Sequence, residues 1–293
     1  MPAQLREFCS VFKPRIAAAI TLSALAGIAA TPGPAPGAGT VLVLAAAVFL
    51  SAASAGAFNQ YVERDLDRRM ARTRSRPFAS GRYRAGPAWL AGILLLLAFA
   101  VAAAAWAVNL AAALHVFLGA FVYGVVYTLW LKRRTPLNIV VGGLAGSFAV
   151  LAGAAAVDPG LSPVPLILAV VLFLWTPPHF WSLAMAVRQD YVAAEVPMLP
   201  VVRGDAVAAR AILAHTAALV ALSLLPALFG LGLLYLAGAA AGGALFLAAS
   251  LRLARQPGPA AARANFRASL AQLSLLQLGA IAGGWLPVGW LPV

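Results

Sequence analysis

Pro87-Ala-Trp-Leu-Ala-Gly-Ile-Leu-Leu-Leu-Leu-Ala-Phe-Ala-Val-Ala-Ala-Ala-Ala-Trp106 is a run of 20 residues without a single charge, and Arg82 and Arg84 stand just before it. A helix of about 20 residues spans the ~30 Å apolar core of a bilayer. Strands of a membrane barrel would instead alternate apolar and polar residues in segments of about ten. This run reads as a membrane-crossing helix, and working outward it has company. Similar runs lie near 16–31, 40–60, 110–131, 138–156, 164–187, 208–229, 231–251 and 268–287. Breakers separate them, among them Thr31-Pro-Gly-Pro, Thr135-Pro136, Asp158-Pro-Gly and Gln256-Pro-Gly-Pro. The expected architecture is all-α, with nine transmembrane helices in one domain over residues 1–293.

Composition agrees. Of the 293 residues, 63% are hydrophobic and 10% charged, with a net charge of +13. Soluble domains carry about 25% charged residues, so the balance excludes a soluble globular domain, a disordered chain and a nucleic-acid-binding module. The lone Cys9 excludes an internal disulfide or a thiolate metal site.

All 21 basic residues fall in five segments. Arg6, Lys13 and Arg15 precede the first run, and eight arginines from Arg64 to Arg84 follow the second. Lys132–Arg134 follow the fourth, Arg188, Arg203 and Arg210 the sixth, and Arg252, Arg255, Arg263 and Arg267 the eighth. The odd-numbered connections and the C-terminus carry none. The positive-inside rule then places the N-terminus in the cytoplasm and, after nine spans, the C-terminus outside. The first 30 residues imitate a secretory signal, but their leading region is longer than a cleaved signal needs.

The eight acids are more informative than the bases. Glu63, Asp65 and Asp67 cluster at the end of the second run, and Asp190, Glu195 and Asp205 lie just past the sixth. Val62-Glu-Arg-Asp65-Leu and Val187-Arg-Gln-Asp190-Tyr resemble each other across four spans. The expected plan is two parallel four-helix pseudo-repeats plus one helix, around a central cavity. On a helix, Asn59, Glu63 and Asp67 are spaced i, i+4, i+8 and form one stripe, with Asp65 roughly opposite Glu63. Oxygen side chains there suit Mg²⁺, which typically takes one or two carboxylates plus water and phosphate oxygens. The arginines that follow suit an anion. Acids for a metal beside bases for an anion describe a diphosphate site.

The sixth run holds Leu174-Trp-Thr-Pro-Pro-His-Phe-Trp181. Two mid-span prolines should break or kink the helix and free backbone groups. His179 lies 11 residues before Asp190, about three turns, so both can share a face. It can serve a cofactor, a proton or a neighbouring carbonyl. Trp175, Phe180 and Trp181 line a channel or face lipid. His115 and His215 read as structural. Gly142, Gly143, Gly146 and Gly153 permit close helix packing. A secondary transporter is the competing class, because it too uses broken helices. Its sites, however, sit near the bilayer midplane and often arise from inverted repeats, whereas these acids gather at one face.

Asn59-Gln-Tyr-Val-Glu63-Arg-Asp65-Leu-Asp67-Arg-Arg-Met70 and Arg72-Thr-Arg-Ser-Arg-Pro77 resemble the first aspartate-rich motif of the UbiA superfamily of intramembrane prenyltransferases. Lys13-Pro-Arg15, Tyr127-Thr-Leu-Trp-Leu-Lys132-Arg-Arg-Thr-Pro136-Leu-Asn138, Arg188-Gln-Asp-Tyr191 and Pro197-Met-Leu-Pro-Val-Val-Arg-Gly204 extend the likeness over nearly the whole chain. Trp175-Thr-Pro-Pro-His-Phe-Trp181 points to the haem branch over the quinone branch.

The resemblance implies Mg²⁺-dependent transfer of a farnesyl group from farnesyl diphosphate to a vinyl group of haem B in a bacterial inner membrane, with haem A synthase as a candidate partner. A quinone precursor or a chlorophyll-like tetrapyrrole is the alternative acceptor. Asn59, Glu63, Asp67 and Asp190 are the implied metal ligands. Asp65, Asp67 and Asp190 are the implied catalytic acids, Lys13, Arg72, Lys132 and Arg188 the diphosphate binders, and His179 the haem contact. Two features depart from the pattern. Glu63 stands where the family usually has Asp, and the second motif keeps Asp190 but has Ala194 four residues on.

Overall fold

The computed structural model describes residues 2–285. An N-terminal helix α1 (Ala3–Val11) precedes α2 (Pro14–Ala29), and the two are bent by 48° at Phe12-Lys13. Then follow α3 (Ala38–Val62), α4 (Arg64–Arg69), α5 (Pro87–Ala107) and α6 (Leu110–Phe121), which runs on as a π-helix over Val122–Leu131. Next come α7 (Asn138–Gly142), α8 (Leu144–Ala155), α9 (Pro163–Ala186), α10 (Arg188–Ala193) and α11 (Leu199–Arg203). The chain finishes with α12 (Asp205–Leu224), a 3₁₀ turn (Leu225–Phe229), α13 (Gly232–Arg255) and α14 (Pro259–Trp285).

Two sets of four packed helices appear in the same order, α2-α3-α5-α6 and α8-α9-α12-α13. Helices α2 and α6 pack on α8, and α14 closes against α13, α9 and α2. The second member of each set, α3 and α9, is followed at once by a six-residue acid-bearing helix, α4 and α10. The two short strings that resembled each other in sequence stand at these matching breaks.

Tight crossings need small residues, because lipid supplies no hydrophobic drive between helices. A Cβ on Gly153 would come within 1.9 Å of the Ala24 carbonyl oxygen, and one on Gly27 within 2.1 Å of the Val150 carbonyl oxygen. The α2–α8 crossing is therefore backbone on backbone, from both sides. The outer faces carry Leu94, Leu95, Phe99 and Trp106 of α5, all exposed, as expected of groups that face lipid.

Among the described residues seven helical segments are long and apolar enough to cross a membrane, or eight when α1 and α2 are taken as one bent span. The chain is a multi-pass membrane protein, but the expected count of nine is not reproduced by this measure. The expected ninth span, 268–287, corresponds to α14, and its residues 286–287 lie outside the described residues, as does the C-terminus. Helix α14 is long enough, but it buries Asn265, Ser269, Gln272 and Gln277, which lowers its apolarity. The expected break at Pro177-Pro178 is also corrected, since α9 stays helical from Pro163 to Ala186.

Candidate active site

Asn59 lies in the last turn of α3, Glu63 links α3 to α4, and Asp67 lies in α4. Two backbone bonds carry the helical phase across the link: Glu63 N–H to the Asn59 carbonyl at 2.9 Å, and Asp67 N–H to the Glu63 carbonyl at 2.7 Å. The i, i+4, i+8 stripe therefore survives the break. Its members are 3%, 1% and 2% exposed. Asp65 points the other way into solvent, where it pairs with Arg68 at 3.0 Å, so it does not join the stripe.

Buried carboxylates need partners; two cations supply them and a third holds the adjoining amide. Lys132 Nζ donates to Glu63 Oε2 at 2.5 Å, and Arg76 Nη1 donates to both carboxylate oxygens of Asp67 at 3.0 and 2.9 Å. Lys13 Nζ donates to Asn59 Oδ1 at 2.6 Å. The Asn59 amide then donates to Glu63 Oε2 at 2.8 Å and to Thr128 Oγ1 at 3.1 Å. Lys13 adopts a left-handed backbone, φ 49° and ψ 54°, at the α1–α2 bend. A non-glycine residue rarely takes that conformation, and functional sites are where such strain is found.

The π-helix shapes the opposite wall. Its wider turn bonds Lys132 N–H to the Tyr127 carbonyl five residues back, at 2.9 Å. Tyr123 and Tyr127 stack with centroids 5.7 Å apart. The Lys13 ammonium lies 3.4 Å from the Tyr123 hydroxyl, and the Lys132 ammonium lies over the Tyr127 ring at 5.7 Å. Sequence periodicity missed Arg76, Thr128 and Tyr123. Arg76 was one of eight loop arginines, and nothing in the pattern between 110 and 131 marks a π turn.

Asp190 does not join Glu63 and Asp67. Its carboxylate accepts the backbone N–H of Ala71 at 3.0 Å and of Arg72 at 3.1 Å, fastening the loop after α4 to α10. Arg69 and Glu195 add a second tie at 3.3 Å, and Arg82 pairs with Glu7 of α1 at the far end of the loop. Arg72, Arg188, Asp190 and Asp205 line a cavity of about 650 Å³ on one side of this loop. A second cavity, of about 620 Å³, lies on its other side and is lined by Arg6, Lys13, Arg76 and Arg82. The four expected diphosphate binders are thus split, with Lys13 and Lys132 at the stripe and Arg72 and Arg188 at the first cavity. In α10, burial raises the pKa of the Tyr191 phenol above its ordinary value, against the pull of Arg72.

His179 is elsewhere, clamped between Trp175 and Phe266 and hydrogen-bonded to Ser269. Trp175 and Trp181 are buried, so they face inward and not lipid. His115 and His215 bond carbonyls four residues back, as structural histidines do.

Among the described residues no group of three His, Cys, Asp or Glu side chains could hold a metal. Glu63 and Asp67 are the acid pair available, with Asn59 bridging Lys13 and Glu63. Glu63 Oε1 is buried with no hydrogen-bond partner. A free, buried carboxylate oxygen beside a second carboxylate fits a hard divalent cation that completes its shell with water or phosphate. Lys13, Lys132 and Arg76 gathered around two carboxylates suit an anion as well.

The fold is a membrane-spanning helix bundle with acids and cations gathered at one end. The UbiA prenyltransferase family model matches residues 20–276, and the chain belongs to that family. It is 62% identical over 273 residues to protoheme IX farnesyltransferase 2 of Paramagnetospirillum magneticum, covering 93% of this chain and 95% of that one. Its fold is similar to that of a digeranylgeranylglyceryl phosphate synthase structure, with TM-score 0.78, 18% identity and coverage of 97% and 99%. It is also similar to a UbiA homologue from Archaeoglobus fulgidus bound to GPP and Mg²⁺, with TM-score 0.69, 17% identity and coverage of 94% and 99%.

Proposed function

We propose that this chain transfers a farnesyl group from farnesyl diphosphate to a vinyl group of haem B, giving haem O, in a bacterial inner membrane. The observation that carries the reading is the buried Asn59–Glu63–Asp67 stripe under Lys13, Lys132 and Arg76, in a chain so similar to a protoheme IX farnesyltransferase. The relative's name supports haem as the acceptor, and the stripe supports an allylic diphosphate as the donor.

In this reading Lys13, Lys132 and Arg76 bind the diphosphate, while Arg72 and Arg188 guide it at the loop edge. Asn59, Glu63 and Asp67 would hold Mg²⁺, which would offset the charge growing on the departing diphosphate. Asp190 acts through the loop that it fastens. The C1–O bond of the farnesyl chain breaks and the diphosphate leaves with the electron pair. Tyr123 and Tyr127 present ring faces to the allylic cation and exclude water from it. The vinyl carbon then bonds to C1, and water adds to the resulting cation and loses a proton, which supplies the product's hydroxyl. Lys132 and Arg76 hold the two carboxylates and Lys13 the Asn59 amide oxygen, so all three cations stand beside the place where a diphosphate would bind.

The N-terminus is assigned to the cytoplasm and the C-terminus to the outside. Haem A synthase would accept the product. Incubating membranes that contain the protein with labelled farnesyl diphosphate and haem B, followed by chromatography, tests donor and acceptor together. Label co-migrating with a farnesylated, hydroxylated haem is the expected result. Label on a quinone precursor, with none on haem, would overturn the assignment.

A further inference from the structure

The α13–α14 hairpin carries charge that the transfer site does not use. No acid follows Asp205 in the chain, but Arg210, Arg252, Arg255, Arg263 and Arg267 do. Arg252 and Arg255 lie in the last turn of α13, and Arg263 and Arg267 in the first three turns of α14. All four are exposed. Among the described residues none of the four has an acidic partner. Asp205, which shares the first cavity with Pro259, pairs with Arg188 at 3.9 Å. The first turn of α14, where a helix favours an acid, holds none.

The hairpin that presents these cations is packed backbone on backbone. A Cβ on Gly238 would stand 2.5 Å from the Leu275 carbonyl oxygen, and one on Gly242 2.9 Å from the Gln272 Cα. Gly279 and Gly283 meet α13 in the same way at Tyr235 and Leu231. Residue 231 therefore faces 283, 238 faces 275 and 242 faces 272, an antiparallel register that puts Arg252 about level with Arg263. The Ser250 hydroxyl donates to Asn265 Oδ1 at 2.9 Å and holds that register just below the arginines.

Helical phase says what the arginines face. On α14 the exposed Arg263, Arg267, Leu270, Ser274 and Leu278 fall on one stripe, and the buried Asn265, Ser269 and Gln272 lie opposite. On α13 Leu234, Leu245, Arg252 and Arg255 share an exposed stripe, turned away from the buried Phe246, Ser250 and Leu253. Leu245 precedes Arg252 by two turns, and Leu270 follows Arg263 by two turns. Each leucine is thus about 10 Å below its arginine, within the ~15 Å apolar depth of one leaflet. The lipid-facing stripes end in guanidiniums. Orientation by positive charge needs only basic residues in a connection. Here the connection, Gln256-Pro-Gly258, carries none, and the cations stand on the stripes themselves.

We propose that this end of the α13–α14 hairpin binds the headgroup of an anionic phospholipid. The guanidinium forks of Arg252, Arg255, Arg263 and Arg267 hold its phosphate, and its acyl chains lie along Leu245 and Leu270. A soluble anion makes no use of the leucines, and an acidic protein segment would have to displace lipid from them. A choline headgroup offers the same phosphate but brings its own cation, so four guanidiniums without acids select lipids of net negative charge.

The test places the purified full-length protein in micelles with phosphatidylglycerol or phosphatidylcholine of the same acyl chains, and native mass spectrometry measures the lipid retained. Wild type should retain phosphatidylglycerol in preference. Each arginine near a membrane surface is worth about five-fold in affinity for anionic lipid. Arg263→Gln combined with Arg267→Gln should therefore lower retention by ~10-fold or more. Arg133→Gln combined with Arg134→Gln removes the same charge from another exposed turn and should retain as much as wild type. A photoactivatable phosphatidylglycerol in nanodiscs should cross-link wild type on peptides spanning Leu245 to Leu270, a readout that needs no variant to fold. Equal retention of the two lipids overturns the proposal. So does retention undiminished by the Arg263 and Arg267 pair, an equal loss in the Arg133 and Arg134 pair, or cross-links confined to other helices. Binding of a polyglutamate peptide in preference to phosphatidylglycerol would assign the surface to an acidic protein and overturn it as well. Neither readout depends on farnesyl transfer, so the functional reading stands or falls separately.

Discussion

Glu63 shows what one methylene does. It stands 1% exposed between α3 and α4, one methylene longer than the aspartate that the family resemblance implied there. The longer side chain places Oε2 against Lys132 and Asn59 and leaves Oε1 without a partner. Glu63→Gln keeps the size but removes the charge, leaving the Lys132 ammonium buried and unpaired. Breaking a buried pair from one side costs about 3–5 kcal/mol. The expected outcome is a lower midpoint of thermal unfolding in detergent together with lost turnover. Asp67→Ala should lower turnover by ~10²-fold or more, with circular dichroism unchanged. Near-normal turnover would remove Asp67 from the metal site. At this scale the sequence was legible where spacing carried the signal, as for Asn59, Glu63 and Asp67. It was silent where a side chain arrives from a distant loop. Arg76 reaches Asp67 from nine residues on, and Ser269 reaches His179 from 90 residues on, and no periodicity encodes either meeting.

Elements carry the next level of specification. Hydropathy and the clustered breakers between runs placed most of the long helices, because Pro-Gly-Pro and similar clusters remove donors and favour turns. They did not place the bend at Lys13 or the π-helix from Val122, because neither depends on local composition. The unbroken α9 has the same cause. Pro177 and Pro178 remove the N–H donors to the Phe173 and Leu174 carbonyls, but α9 stays helical through them, with α14 bonded to the same stretch at Trp175 and Ser182. Two outcomes are expected here. Gly153→Leu should wedge α2 from α8, since even a Cβ meets the Ala24 backbone. Overpacking typically costs 1–3 kcal/mol, and thermal unfolding should report a loss of at least that order. Asp190→Ala should free the backbone of Ala71 and Arg72. Hydrogen exchange across 70–85 should then speed up while the long helices keep their protection. Unchanged exchange in that loop would mean that Asp190 does not fasten it.

Over the whole molecule, the basic segments that were far apart in the chain converge. Lys13, Arg76 and Lys132 meet at the stripe, and Arg72, Arg188, Asp205 and Pro259 meet around one cavity. The connections after spans two, four, six and eight therefore share one end of the bundle with the N-terminus. If that end is cytoplasmic, Cys9 of α1 should react with a membrane-permeant maleimide in intact cells. It should resist an impermeant one added from outside. Labelling by the impermeant reagent would invert the assigned orientation. The sequence by itself determined the solvent the chain lives in, the helical class, the parallel repeat and the acid stripe. Each follows from local composition or from spacing within one helix. The tertiary structure alone decided which cations neutralise the acids, that Asp190 holds a loop instead of joining the pair, and that His179 is stacked between Trp175 and Phe266. Most of those depend on contacts between segments tens of residues or more apart, and the Arg76–Asp67 pair on how a loop folds back over nine residues; helical periodicity carries no information about either.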